Sequence, residues 1–283
     1  LALFLRLGLV NTGLSLYKLY EFNQAVDRGY HDNPYHNFLH GVDVTYFLFH
    51  FLEEAEGAHG TCFDSRELAA LLIAALAHDI GHPGKNNLFQ INAKTPFFTM
   101  YGSKSVLERH SAVVCLDLLH AYGVLDTLDF PIGPTDTAEN TPWIRALIEE
   151  SILNTDMCFH YTLLEKIWYT HSDDMLQELG FEYTDAERRE LINILLHAAD
   201  ISNATRPAHV CLRWSELVAE EFYDQGDEEL RLGLPVSPNM ERRMPVNQIG
   251  LEFNAYVAAP FFTALAELMP RFKGLVQILK SNK

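Results

Sequence analysis

The stretch that decides the fold reads Ala74-Ala-Leu-Ala-His-Asp-Ile-Gly-His-Pro-Gly84. The apolar residues that lead into it recur at the spacing i, i+3, i+4, i+7 and i+8, which predicts a helix with a wide buried face. Those residues are Leu68, Leu71, Leu72, Ala75 and Leu76. The helix is expected to end where glycine and proline follow it, so polar side chains come directly after a buried, apolar segment.

The polar side chains at the end of this helix need partners inside the protein. Asp64 and Glu67 are spaced as a capping box, which fixes where the helix begins. A carboxylate that is buried without a partner costs several kcal/mol. A metal ion is a partner that His78, Asp79 and His82 could share, and this is the central hypothesis.

Two further pairs of polar residues point to the same chemistry. A helix predicted to begin at Pro34 would carry His36 and His40 on one face, because they are four residues apart. A later capped helix would deliver His197 and Asp200 to its C-terminal end. Imidazole with carboxylate favours zinc, whereas carboxylate and water oxygens suit magnesium or manganese. The three groups predict a metal site, with room for a second ion about 3.5–4 Å from the first.

The composition of the 283-residue chain limits its class. Hydrophobic residues make up 48% of the chain and no alternating strand pattern occurs, so we predict one large all-α domain over residues 1–283. The net charge of −17 argues against a nucleic acid polymer as partner. The longest apolar run, Leu68–Ala77, is about half a membrane span, so direct membrane insertion is not expected.

Cysteine usage and the first residue suggest where the chain comes from. The four cysteines stand apart without a CxxC pair, which suits free thiols in a reducing compartment and a cytoplasmic location. The chain begins without methionine, and we expect it to be the catalytic domain of a longer protein. Whether it forms a homodimer is left open.

A series of motifs follows in fixed order along the chain. They are His36-Asn-Phe-Leu-His40-Gly, His78-Asp-Ile-Gly-His82-Pro-Gly with Asn87, Leu107-Glu108, Thr155-Asp156-Met157, His197-Ala-Ala-Asp200-Ile-Ser-Asn203, and Trp214 with Glu221-Phe222 and Gln225-Gly-Asp-Glu228. Over about residues 30–265 this series closely resembles the catalytic domain of the class I 3′,5′-cyclic nucleotide phosphodiesterases. The resemblance implies an all-helical metallohydrolase of the HD type, which opens the cyclic phosphodiester of cAMP or cGMP to the 5′-monophosphate.

The resemblance also implies which residues would hold metal ions. The zinc ligands would be His40, His78, Asp79 and Asp200. The residues that hold the waters of a second ion, magnesium or manganese, would be His82, Glu108 and Thr155. Asp79 would bridge the two ions. Arg109 and Ser111 stand where the family usually has asparagine and histidine, so the surroundings of this site differ from the family pattern.

The same resemblance implies the chemistry and the substrate contacts. A hydroxide activated by the two metals would attack phosphorus, and His36 would act as the general acid that protonates the departing 3′ oxygen. Tyr35 and Asn203 would contact the substrate.

The purine-binding segment departs from the family's Gln-x-x-Phe, in which the glutamine reads the base and the phenylalanine stacks on it. Counting forward from Gln248 places Leu251 in the aromatic position. Counting backward from Pro260 places Phe253 there instead, with Gly250 in the glutamine's place. Helix geometry favours Leu251, about 60° from Gln248, whereas stacking chemistry favours Phe253. We keep Gln248 as the base-reading residue and expect a bend that brings Phe253 over the purine.

Two other functions fit parts of the pattern. Another HD-type metal hydrolase could act on nucleoside triphosphates or linear phosphodiesters, but no basic cluster near the motifs would hold a triphosphate. A non-catalytic cyclic nucleotide sensor could keep the fold, but it would have no need of His36. The choice between cAMP and cGMP stays open, because a glutamine amide can present either edge to a base.

Overall fold

Helices build the whole architecture in the computed structural model, which describes residues 1–7, 13–59, 63–128, 143–177 and 184–282. No strand occurs among these residues, which confirms the all-α prediction. The helices are α1 (Ala2–Arg6), α2 (Leu16–Gly29), α3 (Phe38–His59), α4 (Ser65–Ala77), α5 (Asn87–Asn92), α6 (Pro96–Tyr101), α7 (Val106–Ala121), α8 (Leu125–Leu128), α9 (Trp143–Leu153), α10 (His160–Gln177), α11 (Asp185–Asp200), α12 (Ala208–Arg231), α13 (Val246–Phe253), α14 (Ala259–Leu268) and α15 (Lys273–Ser281).

Helix α4 lies at the centre of the core. Every residue from Glu67 to Ala77 is buried, and the helix packs against α3, α7, α9 and α11. Asp64 and Glu67 form the predicted capping box. The buried Glu67 carboxylate also accepts a hydrogen bond of 2.9 Å from Nε of Arg188 on α11. The amino end of α4 is therefore held in place against α11.

Helices α3 and α11 pack against α4 and against each other, which brings their polar ends to the end of α4. Helix α11 begins at the capping box of Thr184 and Glu187, and residues 191–199 are buried. Each leucine or isoleucine buried in this way contributes about 1.5–3 kcal/mol. The apolar faces thus determine where His40, His78 and Asp200 lie.

The start of α3 corrects one prediction. The helix begins at Phe38 rather than at Pro34, so His36 lies in the preceding segment and does not share a helix face with His40. The side chain of Asn37 accepts a hydrogen bond from the amide of His40, as an N-cap does. The amide of His36 donates to Glu221 on α12, so a tertiary contact holds the segment before Phe38.

Helices α13 and α14 are joined by a π-helical turn, Asn254–Ala258. By length and composition alone, the combined segment Val246–Leu268 is long and apolar enough to cross a membrane. Phe261, Phe262 and Leu265 on this segment are fully buried in the hydrophobic core. Such burial is typical of a core helix in a globular protein.

The free thiols expected from the cysteine spacing are present at Cys115, Cys158 and Cys211. The fourth cysteine, Cys62, lies outside the described residues.

Candidate active site

Four side chains from three helices meet at the end of α4. Ligand atoms of His40, His78, Asp79 and Asp200 all lie within 4.8 Å of one another. Nε2 of His40 is 3.0 Å from Oδ1 of Asp200, and Nε2 of His78 is 3.0 Å from Oδ2 of Asp79. Both histidines are buried. The structure thus brings together all four residues that the sequence proposed as metal ligands.

The hydrogen bonding of His78 shows that this cluster fits a metal ion. Its Nδ1 lies 2.9 Å from the carbonyl oxygen of Ala75, so Nδ1 carries a hydrogen and the lone pair of the neutral ring is on Nε2. Nε2 is buried without a hydrogen-bond partner, although carboxylate oxygens lie within ion-pair distance. A lone pair that faces two carboxylates is stabilised by a positive charge between them, either a proton or a metal ion.

The pKa values of the cluster indicate the same demand for positive charge. Burial lowers the pKa of His78, but the charges of Asp79 and Asp200 outweigh it and raise that pKa well above its usual value. Burial raises the pKa of Asp200, but the neighbouring His78 outweighs it and lowers that pKa well below its usual value. With two imidazoles and two carboxylates, the cluster is consistent with a divalent metal ion.

A second cluster, formed by His36, His82 and Glu221, lies beside the first. One oxygen of Glu221 accepts hydrogen bonds of 3.0 Å from the amides of both Tyr35 and His36. The other oxygen bonds to Nδ1 of His36. The rings of His36 and His82 stack with their centroids 3.9 Å apart.

Glu221 and burial give the two stacked histidines opposite charge states. Burial lowers the pKa of His36, but the Glu221 carboxylate outweighs it and the pKa rises to about 9. Burial, followed by the charge on His36, lowers the pKa of His82 to about 3. At neutral pH His36 therefore carries a proton and His82 does not. Since Nδ1 faces Glu221, the free ring nitrogen of His36 is Nε2.

The outer pocket opens onto both clusters. Its lining includes His36, Asp79, His82, Glu108, Thr155, Asp156 and Asp200. The Glu108 carboxylate accepts hydrogen bonds of 3.1 and 2.9 Å from Nδ2 of Asn87. Burial, followed by repulsion from Asp156, raises the pKa of Glu108 to about 8. Crowded carboxylates of this kind favour a nearby cation.

The inner pocket adjoins the outer one. The two share Tyr35, Val218, Phe222 and Phe253 as lining residues. Nδ2 of Asn203 donates a 2.8 Å hydrogen bond to the hydroxyl of Tyr35, so both proposed substrate contacts lie at this pocket. Apolar walls next to a carboxylate-rich outer pocket suit a ligand with an apolar end and an anionic end, provided that cations held by the carboxylates neutralise their charge.

The structure separates the three candidates for the base clamp. Phe253 lines both pockets, and Gly250 lines the inner one. Gln248 and Leu251 line neither pocket, and both are exposed. Nε2 of Gln248 instead donates a 2.8 Å hydrogen bond to Glu252.

Helix phase explains the displacement of Gln248. Residues 248 and 250 are about 200° apart on a helix, so only one of them can face the pocket, whereas residues 250 and 253 share a face. The backward count from Pro260 thus describes the observed placement, and the structure does not bring Gln248 to the pocket that it was expected to read.

The two departures near Glu108 have local explanations. Oγ of Ser111 donates a 2.9 Å hydrogen bond to the carbonyl oxygen of Ile80, inside the turn that carries His82. Nε of Arg109 donates to the carbonyl oxygen of Lys104 at the surface. Ser111 therefore supports the backbone next to the site, whereas Arg109 faces away from it.

Comparison with known proteins identifies the family. The family model described as 3′5′-cyclic nucleotide phosphodiesterase matches residues 35–279. The chain belongs to this family. It is 32% identical over 271 residues to the 3′,5′-cyclic-nucleotide phosphodiesterase regA of Dictyostelium discoideum. The matched region covers 94% of this chain and 32% of that protein. It is also 32% identical over 253 residues to the dual specificity calcium/calmodulin-dependent 3′,5′-cyclic nucleotide phosphodiesterase 1B of Mus musculus, covering 88% of this chain and 44% of that protein.

Solved structures of phosphodiesterase domains share the fold. The phosphodiesterase domain of the RhoPDE fusion protein from the choanoflagellate Salpingoeca rosetta matches with a TM-score of 0.86 and 28% identity, covering 99% of this chain and 86% of that one. LmjPDEB1 in complex with IBMX matches with a TM-score of 0.85 and 28% identity, covering 97% of this chain and 80% of that one. The chain spans between about a third and a half of the length of the two curated relatives above.

Two residues of the site were not among those proposed from the sequence. Glu221 and Asp156 occur in the quoted motifs, yet neither was given a role. Glu221, Gln225 and Glu229 recur every four residues and form a buried polar stripe on α12, and that spacing was the available signal. Its partner His36 is 185 residues away in the chain, a distance that no helical spacing reveals.

Proposed function

We propose that this chain hydrolyses the 3′,5′-cyclic phosphodiester of cAMP or cGMP to the 5′-monophosphate. The observation that carries the proposal is the placement of a protonated histidine, His36, beside the cluster of His40, His78, Asp79 and Asp200. Membership of the phosphodiesterase family supports it.

The proposed metal ligands are His40, His78, Asp79 and Asp200, with zinc as the ion that suits imidazole and carboxylate together. We propose that Asp79 also faces a second ion, magnesium or manganese, on the side of the outer pocket. The residues proposed to hold the waters of that ion are His82, Glu108 and Thr155, joined by Asp156 on the same wall. When bound, the ions would supply positive charge for the phosphate and activate water as the nucleophile.

The protein's own groups would position the substrate and move the proton. The adjoining pockets would hold the phosphate near Asp79 and the base near Phe253, which lines both of them. Glu221 fixes the His36 ring through Nδ1, so that Nε2–H can protonate the departing 3′ oxygen. A general acid held in this way is proton-loaded before the substrate arrives.

The charge balance of the protein agrees with this assignment. The chain has a net charge of −17, yet its proposed substrate is an anion. Cations held by the Asp and His cluster would reverse the local potential where the phosphate binds.

The test is hydrolysis of cAMP and cGMP by the purified chain, with and without EDTA. We expect turnover of at least one nucleotide, loss of turnover in EDTA, and recovery when zinc and magnesium are restored. The control is the exposed Asp117→Ala variant on α7, which should behave as the wild type. Failure of the metal-loaded chain to cleave either nucleotide would contradict the proposal.

We further propose a cytoplasmic location, which the free thiols at Cys115, Cys158 and Cys211 support. Whether the chain forms a homodimer is tested by its mass in solution, measured by light scattering.

A further inference from the structure

One wall of the inner pocket is built where α12 meets α13. Cys211, Ser215 and Gly250 line the inner pocket and do not line the outer one, and we call these three residues the base wall. A Cβ atom placed on Gly250 would lie 2.9 Å from Oγ of Ser215. The hydroxyl of Ser215 therefore lies directly against the glycine, and no side chain at position 250 comes between it and a ligand.

The hydrogen bonds of Ser215 determine what its hydroxyl can offer to a ligand. Oγ of Ser215 donates its hydrogen to the carbonyl oxygen of Cys211, one turn earlier on α12, at 3.0 Å. A hydroxyl has one hydrogen and two lone pairs, so the atom that remains open to the pocket is an acceptor.

Asn203 presents the same polarity to the pocket. Its Nδ2 donates to the hydroxyl of Tyr35, and its Oδ1 is buried with no hydrogen-bond partner. The side chain is 8% exposed, so its carbonyl oxygen has little access to water. A ligand group that donates a hydrogen bond would satisfy this oxygen.

From these contacts we propose that Ser215 is a specificity-determining residue that favours adenine over guanine, so that cAMP is the preferred substrate. The inference rests on the proposed function. Adenine carries an amino group at the position where guanine carries a carbonyl oxygen. An amino group can donate to Ser215 while the hydroxyl keeps its bond to Cys211. A carbonyl oxygen would require that bond to break before the hydroxyl could turn and donate.

The glutamine expected to read the base does not compensate for this polarity. Gln248 is exposed and bonded to Glu252, so its amide cannot turn to meet either purine. Besides Ser215, the side chains with N–H or O–H groups in the lining of the inner pocket are Tyr35, Trp214 and Asn203, whose Nδ2 is bonded to Tyr35. Tyr35 stands at the junction with the outer pocket, away from the base wall. Trp214 is thus the residue that would read a carbonyl oxygen if guanine were preferred.

The first experiment compares kcat/KM for the two nucleotides in the wild type and in Ser215→Ala. We expect the wild type to favour cAMP by about tenfold, the size of one hydrogen-bond difference at a partly buried site. Ser215→Ala removes the acceptor without adding volume, and the preference should fall to less than about threefold. Ser281→Ala, an exposed serine on α15, is the matched control and should keep the wild-type ratio.

A second experiment measures binding without turnover, by equilibrium dialysis of cAMP and cGMP against the same variants in EDTA. We expect the ratio of cAMP affinity to cGMP affinity in each variant to match its kcat/KM ratio. If cAMP binds preferentially through Ser215 but neither nucleotide is cleaved after metals are restored, the proposed function fails and this inference stands. If both are cleaved and bound equally, this inference fails and the function stands. Three other results would also overturn this inference: a preference for cGMP, a cAMP-to-cGMP ratio that is unchanged in Ser215→Ala, or no binding of either nucleotide.

Discussion

Glu221 holds His36 at two places, the backbone amide at 3.0 Å and the ring nitrogen Nδ1. Because both contacts come from one carboxylate on α12, the ring and the backbone of His36 are fixed together. The same carboxylate raises the pKa of His36 to about 9 in spite of burial, and its own pKa falls to about 2 because the charge on His36 outweighs burial. Glu221 thus fixes the position of the proposed general acid and is the largest contributor to its raised pKa, to which the charges of Asp79 and Asp200 add.

Removing the charge of Glu221 should therefore change the pH dependence of catalysis. In the proposed mechanism the protonated form of His36 is the active one, and this form is lost as the pH rises through the pKa of His36. Glu221→Gln keeps the size of the side chain but removes the charge, so the pKa of His36 falls. We expect the alkaline limb of the kcat profile to move to lower pH, by about one unit or more. The profile of kcat against pH from 6 to 10 measures the shift.

The control for this prediction is Glu220→Gln, a neighbouring and exposed position on α12. Its alkaline limb should stay with that of the wild type. An unshifted limb in Glu221→Gln would mean that another group supplies the proton.

Features that depend on residues close together in the chain were predicted correctly from the sequence. Features that depend on contacts between distant residues were not. The buried stripe of α4 and the two capping boxes follow from residues within a few positions of one another. The start of α3 does not, because Glu221 binds the amide of His36 from 185 residues away and the helix begins later.

The base clamp shows a second limit of sequence analysis. The forward and backward motif counts place the base-reading position at Gln248 and at Gly250. These two positions lie on opposite sides of the helix, because two residues correspond to a rotation of about 200°. The packing of Gly250 against Ser215 decides that phase, and it is a tertiary contact between α13 and α12.

Loss of a proposed metal ligand should remove both activity and bound metal. Asp200→Ala takes away a carboxylate that lies 3.0 Å from His40 and 3.2 Å from His78. We expect no measurable turnover, less zinc by elemental analysis, and a lower Tm, because metal binding is coupled to folding. EDTA should lower the Tm of the wild type more than that of the variant. A fully active Asp200→Ala protein without zinc would contradict the ligand assignment.

His36 should be separable from the metal ligands by a single substitution. The structure places it outside the helix that carries His40, in contact with Glu221 and His82. His36→Ala should lower kcat by about 10²–10⁴, as the loss of a general acid does. Its zinc content should match that of the wild type, measured by elemental analysis on the same preparation. Loss of zinc from this variant would show that His36 itself holds the metal.

Phe253 should contribute to substrate affinity, whereas Leu251 should not. Phe253 lines both pockets, and an aromatic face stacked on a base contributes about 1–3 kcal/mol. Phe253→Ala should therefore raise KM about tenfold or more, with a smaller effect on kcat. Leu251 is 42% exposed and lines neither pocket, so Leu251→Ala is the matched control and should leave KM close to the wild-type value. Steady-state kinetics with cAMP and cGMP measure both variants. If Leu251→Ala proved the more damaging change while Phe253→Ala had little effect, the base would lie against the face of α13 that carries Leu251, and the clamp would be aliphatic.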